Sequence, residues 1–242
     1  LADVDATEKY GFIWSKEKNH IDVATPLATH KLITGLFDSI SKLNTQSYLE
    51  EIFEICGLKF NYEPYLLNVN QELVNKWNSM RIKADGKKII GLNTGCGKRW
   101  STRLWDTKNW IELVKQLQQS NYYPVLLGGL DEDAQNKIYN QETGAYYPGT
   151  YSLDEFIAIT ANCDTIVSAV SMMMHIATGL QKPLILFNNI FNKHEFELYG
   201  RGTIVEPTSG CDCYYGNTCS RELSCMKDIS VQTVYDAIVK YS

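Results

Sequence analysis

The stretch that decides the fold is KIIGLNTGCGKRW, Lys88–Trp100, read together with YYPVLLGGLDED, Tyr122–Asp133. Each opens on a short apolar run and ends in glycines followed by charged residues. A run of that length, closed by glycine, predicts a buried strand, here Ile89–Asn93 and Tyr123–Leu127. Between them, Trp110–Gln119 repeats apolar residues at helical spacing, with Asp106 or Thr107 as its cap. The alternation continues outward. Helices are predicted over Glu132–Asn140, Leu153–Ala161, Met172–Leu180 and Val231–Val239, and strands over Thr165–Val167, Leu184–Phe187 and Thr203–Val205. Strands that alternate with helices need crossover connections, so the sheet is parallel and covered on both faces. The expected fold is α/β, a Rossmann-like doubly wound sheet.

The first part of the chain reads differently. Residues 1 to about 70 look irregular and then helical. Their clearest helix is Ser47–Cys56, where Ser47 and Glu50 form a capping-box signature and Gly57 follows as a C-cap glycine. A second helix, Gln71–Ala84, leads into the alternating block. The expected domains are therefore 1–70 and 71–242.

Of the 242 residues, 44% are hydrophobic, which is enough for a core of ordinary size. The net charge of -5 argues against a nucleic-acid surface, which needs a basic footprint. No apolar run approaches the ~20 residues that span a bilayer. No segment has the layout of a secretory signal. A cytoplasmic chain is expected. It starts at Leu1 and reads as a processed chain or a fragment.

In parallel sheets, ligands bind beyond the carboxyl ends of the strands, which selects four loops. Asn93–Arg99 carries two glycines and is followed by Arg103. Its backbone N–H groups, Lys98 and Arg103 suit a phosphate, although a solvated basic turn fits the same residues. Gly128–Asp133 offers carboxylates for ribose hydroxyls, or else acids that offset a helix dipole. Ser168–His175 places Ser171 and His175 on one helix face near an anion-binding N-terminus. The alternative there is a capping serine and a core histidine. Asn188–Tyr199 mixes amides with aromatics, which suits a sugar or base pocket or a loop built on asparagine turns.

The cysteines divide into two groups. Cys56, Cys96 and Cys163 are scattered and read as buried thiols. Cys211, Cys213, Cys219 and Cys225 fall within one segment, 211–225, and suggest a structural Zn²⁺ held by four thiolates. Reduced thiols, or bridges formed on oxidation, are the alternative.

Taken in order, these pieces resemble glycosyltransferase family 9, the heptosyltransferase group. They are GLNTGCGKRWSTRLW, LLGGLDED, GTYSLDEF, VSAVSMMMHIATGL and the closing CDCYYGNTCSRELSCM. EKYGF and SYLEEIFEICGL resemble the stretch before that family's domain boundary. The resemblance implies the C-terminal domain of a GT-B enzyme, with residues 1–70 as a remnant of the N-terminal acceptor domain. It implies an inverting transfer of a heptose-like sugar from a nucleotide diphosphate sugar, such as ADP-heptose, to a lipopolysaccharide or other glycan or glycolipid acceptor. No cofactor is implied for catalysis, and peripheral membrane association is implied for the full-length protein. The donor site would comprise Thr94, Gly95, Gly97, Lys98, Arg103, Glu132, Tyr151, Ser171, Met172 and His175. The catalytic base would lie in the absent N-terminal part. One position departs from the family pattern Asp-Thr-Gly-Pro-Met-His, because Val170 stands where that pattern has its carboxylate. Valine accepts no hydrogen bond from a sugar hydroxyl, so a degenerate scaffold domain is the alternative. His194, Glu195 or Glu197 are the expected replacements.

Overall fold

A computed structural model describes residues 4–242. It divides into two compact units. One holds the residues up to Glu63 together with Phe191–Glu197, and the other holds Pro64–Ile190 and Leu198–Ser242.

The first unit opens on a hairpin of β1 (Phe12–Ser15) and β2 (His20–Val23), with Trp14 paired to Ile21. The sequence predicts only irregular chain here. Four-residue strands are too short to show a period, and the connection Lys16–Asn19 lacks glycine. Asn19 supplies the left-handed turn instead, at φ 52°. Three helices follow, α1 (Thr29–Leu36), α2 (Asp38–Ser41) and α3 (Tyr48–Ile55). The capping box of α3 forms as expected. Ser47 Oγ accepts from Glu50 N, and the Glu50 carboxylate accepts from Ser47 N.

A carboxylate sits at the centre of this unit. Glu51 is 1% exposed and accepts from Lys31 at 2.6 Å and from Thr34 and Asn44 at 3.2 Å each. Asn192 donates to Ser41 O and Asn44 O and so ties Phe191–Glu197 into the unit. Cys56, expected to be buried, is exposed, because it caps the end of α3.

The second unit carries the predicted sheet. The single helix expected over Gln71–Ala84 is two helices, α4 (Gln71–Trp77) and α5 (Ser79–Ala84). They meet at Asn78, whose N–H donates three residues back to Asn75 O and tightens the turn. The strands β3 (Lys88–Asn93), β4 (Tyr122–Leu127), β5 (Thr165–Ala169), β6 (Leu184–Phe187) and β7 (Gly202–Val205) are all parallel, in the order β4-β3-β5-β6-β7. The connecting helices are α6 (Thr107–Gln119), α7 (Asp133–Thr143), α8 (Leu153–Ala161) and α9 (Met172–Gly179), and α10 (Val231–Tyr241) ends the chain. Asp106 is the cap of α6, accepting from Lys108 N. The strands are apolar on both sides because helices cover both faces. Leu92, Leu126, Val167 and Ile185 are each fully buried in one cluster with Trp110, Leu113 and Val234. The strand order reverses between β3 and β5, which is where a doubly wound sheet leaves a crevice. Among the described residues, no helix is long and apolar enough to cross a membrane.

Candidate functional site

The loop after β3 is held in shape by buried amides. Asn93 donates to Gly95 O at 3.0 Å and to Ser168 Oγ at 3.1 Å. Thr94 Oγ1 donates to Asn136 Oδ1 at 2.6 Å, and Asn136, fully buried on α7, donates in turn to Leu127 O. Gly97 turns the chain at φ 74°. Gly95 is required for space, since a methyl group there would lie 2.0 Å from Glu132 Oε1. Glu132 turns back from the start of α7, and its other oxygen accepts from Gly129 N at 2.9 Å. Lys98 pairs with Asp131 at 2.7 Å, and that carboxylate holds the lysine pKa above its ordinary value. These groups border a cavity of about 580 Å³, lined by Thr94–Lys98, Asp131, Glu132 and Gln135 together with Trp105, Thr107 and Tyr139.

Arg103 is buried behind the loop at 7% exposure. Its guanidinium donates to the carbonyls of Trp100, Cys96 and Val170. One cation therefore joins the loop after β3 to the turn after β5. Burial pulls its pKa down, yet an arginine remains charged. The chemistry of Arg103 is thus spent largely on backbone oxygens rather than turned outward. A second strut runs beside it, where Ser168 Oγ stands 3.2 Å from Ser171 Oγ.

After β5, Ser171 caps α9 and accepts from Met173 N. Met172 is 56% exposed. His175 Nδ1 lies 3.4 Å from Tyr65 Oη, and desolvation lowers the histidine pKa. Tyr151 stacks edge-on against Trp77 at 4.9 Å. Of the residues picked from sequence, Thr94, Gly95, Gly97, Lys98 and Glu132 thus line one cavity. Ser171, Met172, His175 and Tyr151 are not in its lining. The sequence placed Asn93, Asp131 and Ser168 in candidate loops without giving them a role, and it missed Asn136. A readable signal was Asn136 inside an otherwise helical segment, since a fully buried amide must find partners.

The Cys-rich segment lies against the same loop. Trp100 Nε1 donates to Tyr215 O at 3.2 Å and Thr102 Oγ1 to Gly216 O at 3.1 Å. Asn189 donates to Thr102 O and, at 3.6 Å, to Cys225 Sγ. His194, Glu195 and Glu197 belong to the first unit.

Cys211 contacts both Cys225 and Cys213, Cys213 also contacts Cys219, and Cys213 N donates to Cys211 Sγ. Among the described residues, no three His, Cys, Asp or Glu side chains form a group that could hold a metal ion. Burial pushes the Cys211 thiol up to about 12. The backbone N–H of Arg221 draws Cys219 down.

Residues 39–204 match the family described as glycosyltransferase family 9 (heptosyltransferase). The chain belongs to this family. Within family 9, lipopolysaccharide heptosyltransferase 2 of Escherichia coli K12 is 34% identical over 102 residues, which cover 39% of this chain and 28% of that protein. Among solved structures, E. coli ADP-heptose lipopolysaccharide heptosyltransferase II superposes with a TM-score of 0.58 at 19% identity, over 73% of this chain and 53% of the other. TibC, an iron-containing dodecameric glycosyltransferase of enterotoxigenic E. coli H10407, gives a TM-score of 0.54 at 14% identity, over 81% and 54%. This chain thus matches about half the length of the solved relatives, and the shared GT-B fold explains the parallel sheet found here.

Proposed function

We propose that this family 9 chain supplies the donor side of a cytoplasmic glycosyltransferase, binding a nucleotide diphosphate sugar such as ADP-heptose. The observation that carries the reading is the cavity beyond β3 and β4, where the glycine turn Thr94–Gly97 and Lys98 meet Glu132. A diphosphate there receives backbone N–H groups and the Lys98 ammonium, which stabilise the charge it gains on leaving. Glu132 has one oxygen tied to Gly129 N and the other facing Gly95, at hand for ribose hydroxyls.

The transfer itself is inverting. A hydroxyl of a glycan or glycolipid attacks the anomeric carbon, the bond to the diphosphate breaks, and a base takes the hydroxyl proton. The base and the acceptor surface belong to the N-terminal half of such an enzyme, so this chain alone binds nucleotide without transferring sugar. Arg103 acts as a positioning residue, since its donors hold the carbonyls of both ligand loops. The family motif assigns Ser171, Met172 and His175 to the donor sugar and diphosphate, and Tyr151 to the neighbourhood of the nucleobase.

Calorimetric titration with ADP, UDP, GDP, CMP and their sugar forms tests this. One diphosphate binds selectively, and Lys98→Ala weakens it by roughly tenfold, the loss of one charge-assisted contact. Binding of none of them supports the alternative favoured by Val170, a scaffold domain that has lost its donor chemistry.

A further inference from the structure

We propose that Tyr65 is a positioning residue for His175: its phenol donates to His175 Nδ1 and so keeps the ring proton on Nε2, an N–H offered to an oxygen of the donor diphosphate. Only the identity of that oxygen rests on the donor-site reading. The starting observation is a register within the second unit, where the chain from Pro64 to Asn70 runs along α9. Leu67 packs on Gly179, where a methyl group would lie 2.9 Å from Leu67 Cβ, and Tyr65 Oη lies 3.4 Å from His175 Nδ1. Two residues of extended chain advance roughly 6.6 Å, and four residues of helix advance roughly 6 Å. Gly179 and His175 are four apart and share a helix face. The close approach at the glycine therefore sets the phenol against the imidazole.

The second observation is what holds the phenol in place. Tyr199, just before β7, meets the Tyr65 ring edge-on at 6.3 Å, and the Arg201 guanidinium lies over the Tyr199 ring at 5.1 Å. Tyr199 has a left-handed backbone at φ 53°. A non-glycine residue at positive φ is costly unless its surroundings hold it there. The rings of Tyr65 and His175 are 6.0 Å apart and tilted by 31°. Tyr65 is thus set from both sides, by Tyr199 on one and by α9 on the other.

Burial lowers the His175 pKa, so at neutral pH the ring is neutral and carries one proton. The side chain is still exposed enough for a ligand to reach it. In a neutral imidazole, the hydrogen bond made by one nitrogen decides which nitrogen keeps the proton. Between a phenol and a neutral imidazole, the O–H is the better donor and the bare nitrogen the better acceptor. Tyr65 therefore donates to Nδ1, and Nε2 keeps its hydrogen. A diphosphate oxygen accepts hydrogen bonds and donates none, so it is served by Nε2–H and repelled by a bare Nε2.

The test uses the full chain with nitrogen-15 in its four histidines and long-range proton–nitrogen spectra of their rings. His175 is assigned as the ring that disappears in His175→Asn. The wild-type spectrum is expected to show Nε2–H and a bare Nδ1, and it decides the tautomer without any further variant. Tyr65→Phe keeps the ring packing and removes only the hydroxyl. It should move the Nδ1 resonance and raise the His175 pKa, because the lost bond favoured the neutral ring. ADP affinity should fall by roughly three- to tenfold, the usual contribution of one hydrogen bond. A Tyr65-dependent Nε2–H in a chain that binds no nucleotide diphosphate would uphold the positioning role and sink the donor reading. Three results would overturn the proposal: Nδ1–H in the wild type, a His175 pKa that falls or stays unchanged in Tyr65→Phe, or ADP bound equally well by wild type and variant.

Discussion

The two units are built on opposite principles. The second has a continuous apolar interior, in which strands buried on both faces pack against Trp105, Trp110 and Leu113. The first encloses few large apolar side chains, Ile55 and Phe60 among them, and is organised around the buried carboxylate of Glu51. It leaves Trp14, Leu36, Phe37 and Leu43 half or more exposed. Hydrophobic burial is non-directional, so a pattern of apolar residues is enough to specify it. A buried carboxylate is stable only when particular donors reach it, so it depends on a few residues far apart in sequence.

That contrast is easiest to break at Glu51. Glu51→Ala leaves the donors of Lys31, Thr34 and Asn44 without their acceptor, and is expected to cost about 3–5 kcal/mol within the first unit. Amide exchange in α1 and α3 would show it. Exchange there as slow as in the wild type would mean that the unit is held by its apolar contacts after all.

The second unit has one comparable polar keystone. Arg103→Ala strands the carbonyls of Cys96 and Val170 and is expected to destabilise by about 2–4 kcal/mol, followed by chemical denaturation. Arg103→Lys should recover little, because an ammonium cannot span three diverging carbonyls. Full recovery with lysine would show that charge, not the guanidinium fork, is what the loops need.

The smallest effect is a pH dependence at His175. Desolvation lowers the pKa of its ring below the ordinary value of about 6.5. The unfolded chain therefore takes up the proton first as pH falls through that value. Stability from this group is complete above about pH 6.5 and declines below it, down to the depressed folded value. Thermal melts of the wild type and His175→Asn between pH 7.5 and pH 5.5 should show the smaller acid loss in the variant. Parallel losses would place the acid sensitivity elsewhere.

The sheet and its helices were legible because period and punctuation agree. Ile89–Asn93 and Tyr123–Leu127 were each found to within a residue of β3 and β4. The box at Ser47 and Glu50 announced α3, since both halves of that contact lie within one turn. The hairpin of β1 and β2 was not legible. Its strands are four residues long, and its turn relies on Asn19 in a conformation that glycine usually takes. The cleft was half legible. Gly95, Gly97 and Lys98 stand in one loop, and the family pattern names them. Asn136 and Ser168, which hold that loop, come from α7 and β5.

The sequence by itself determined the family, the parallel α/β architecture and the glycine turn with its lysine, because each is written in residues close together along the chain. Only the tertiary structure decided that Arg103 faces inward to the carbonyls of Cys96 and Val170, and that Asp131 takes Lys98. These are contacts of direction and distance. A buried donor must find its acceptor wherever the fold has carried it, and spacing along the chain does not say where that is.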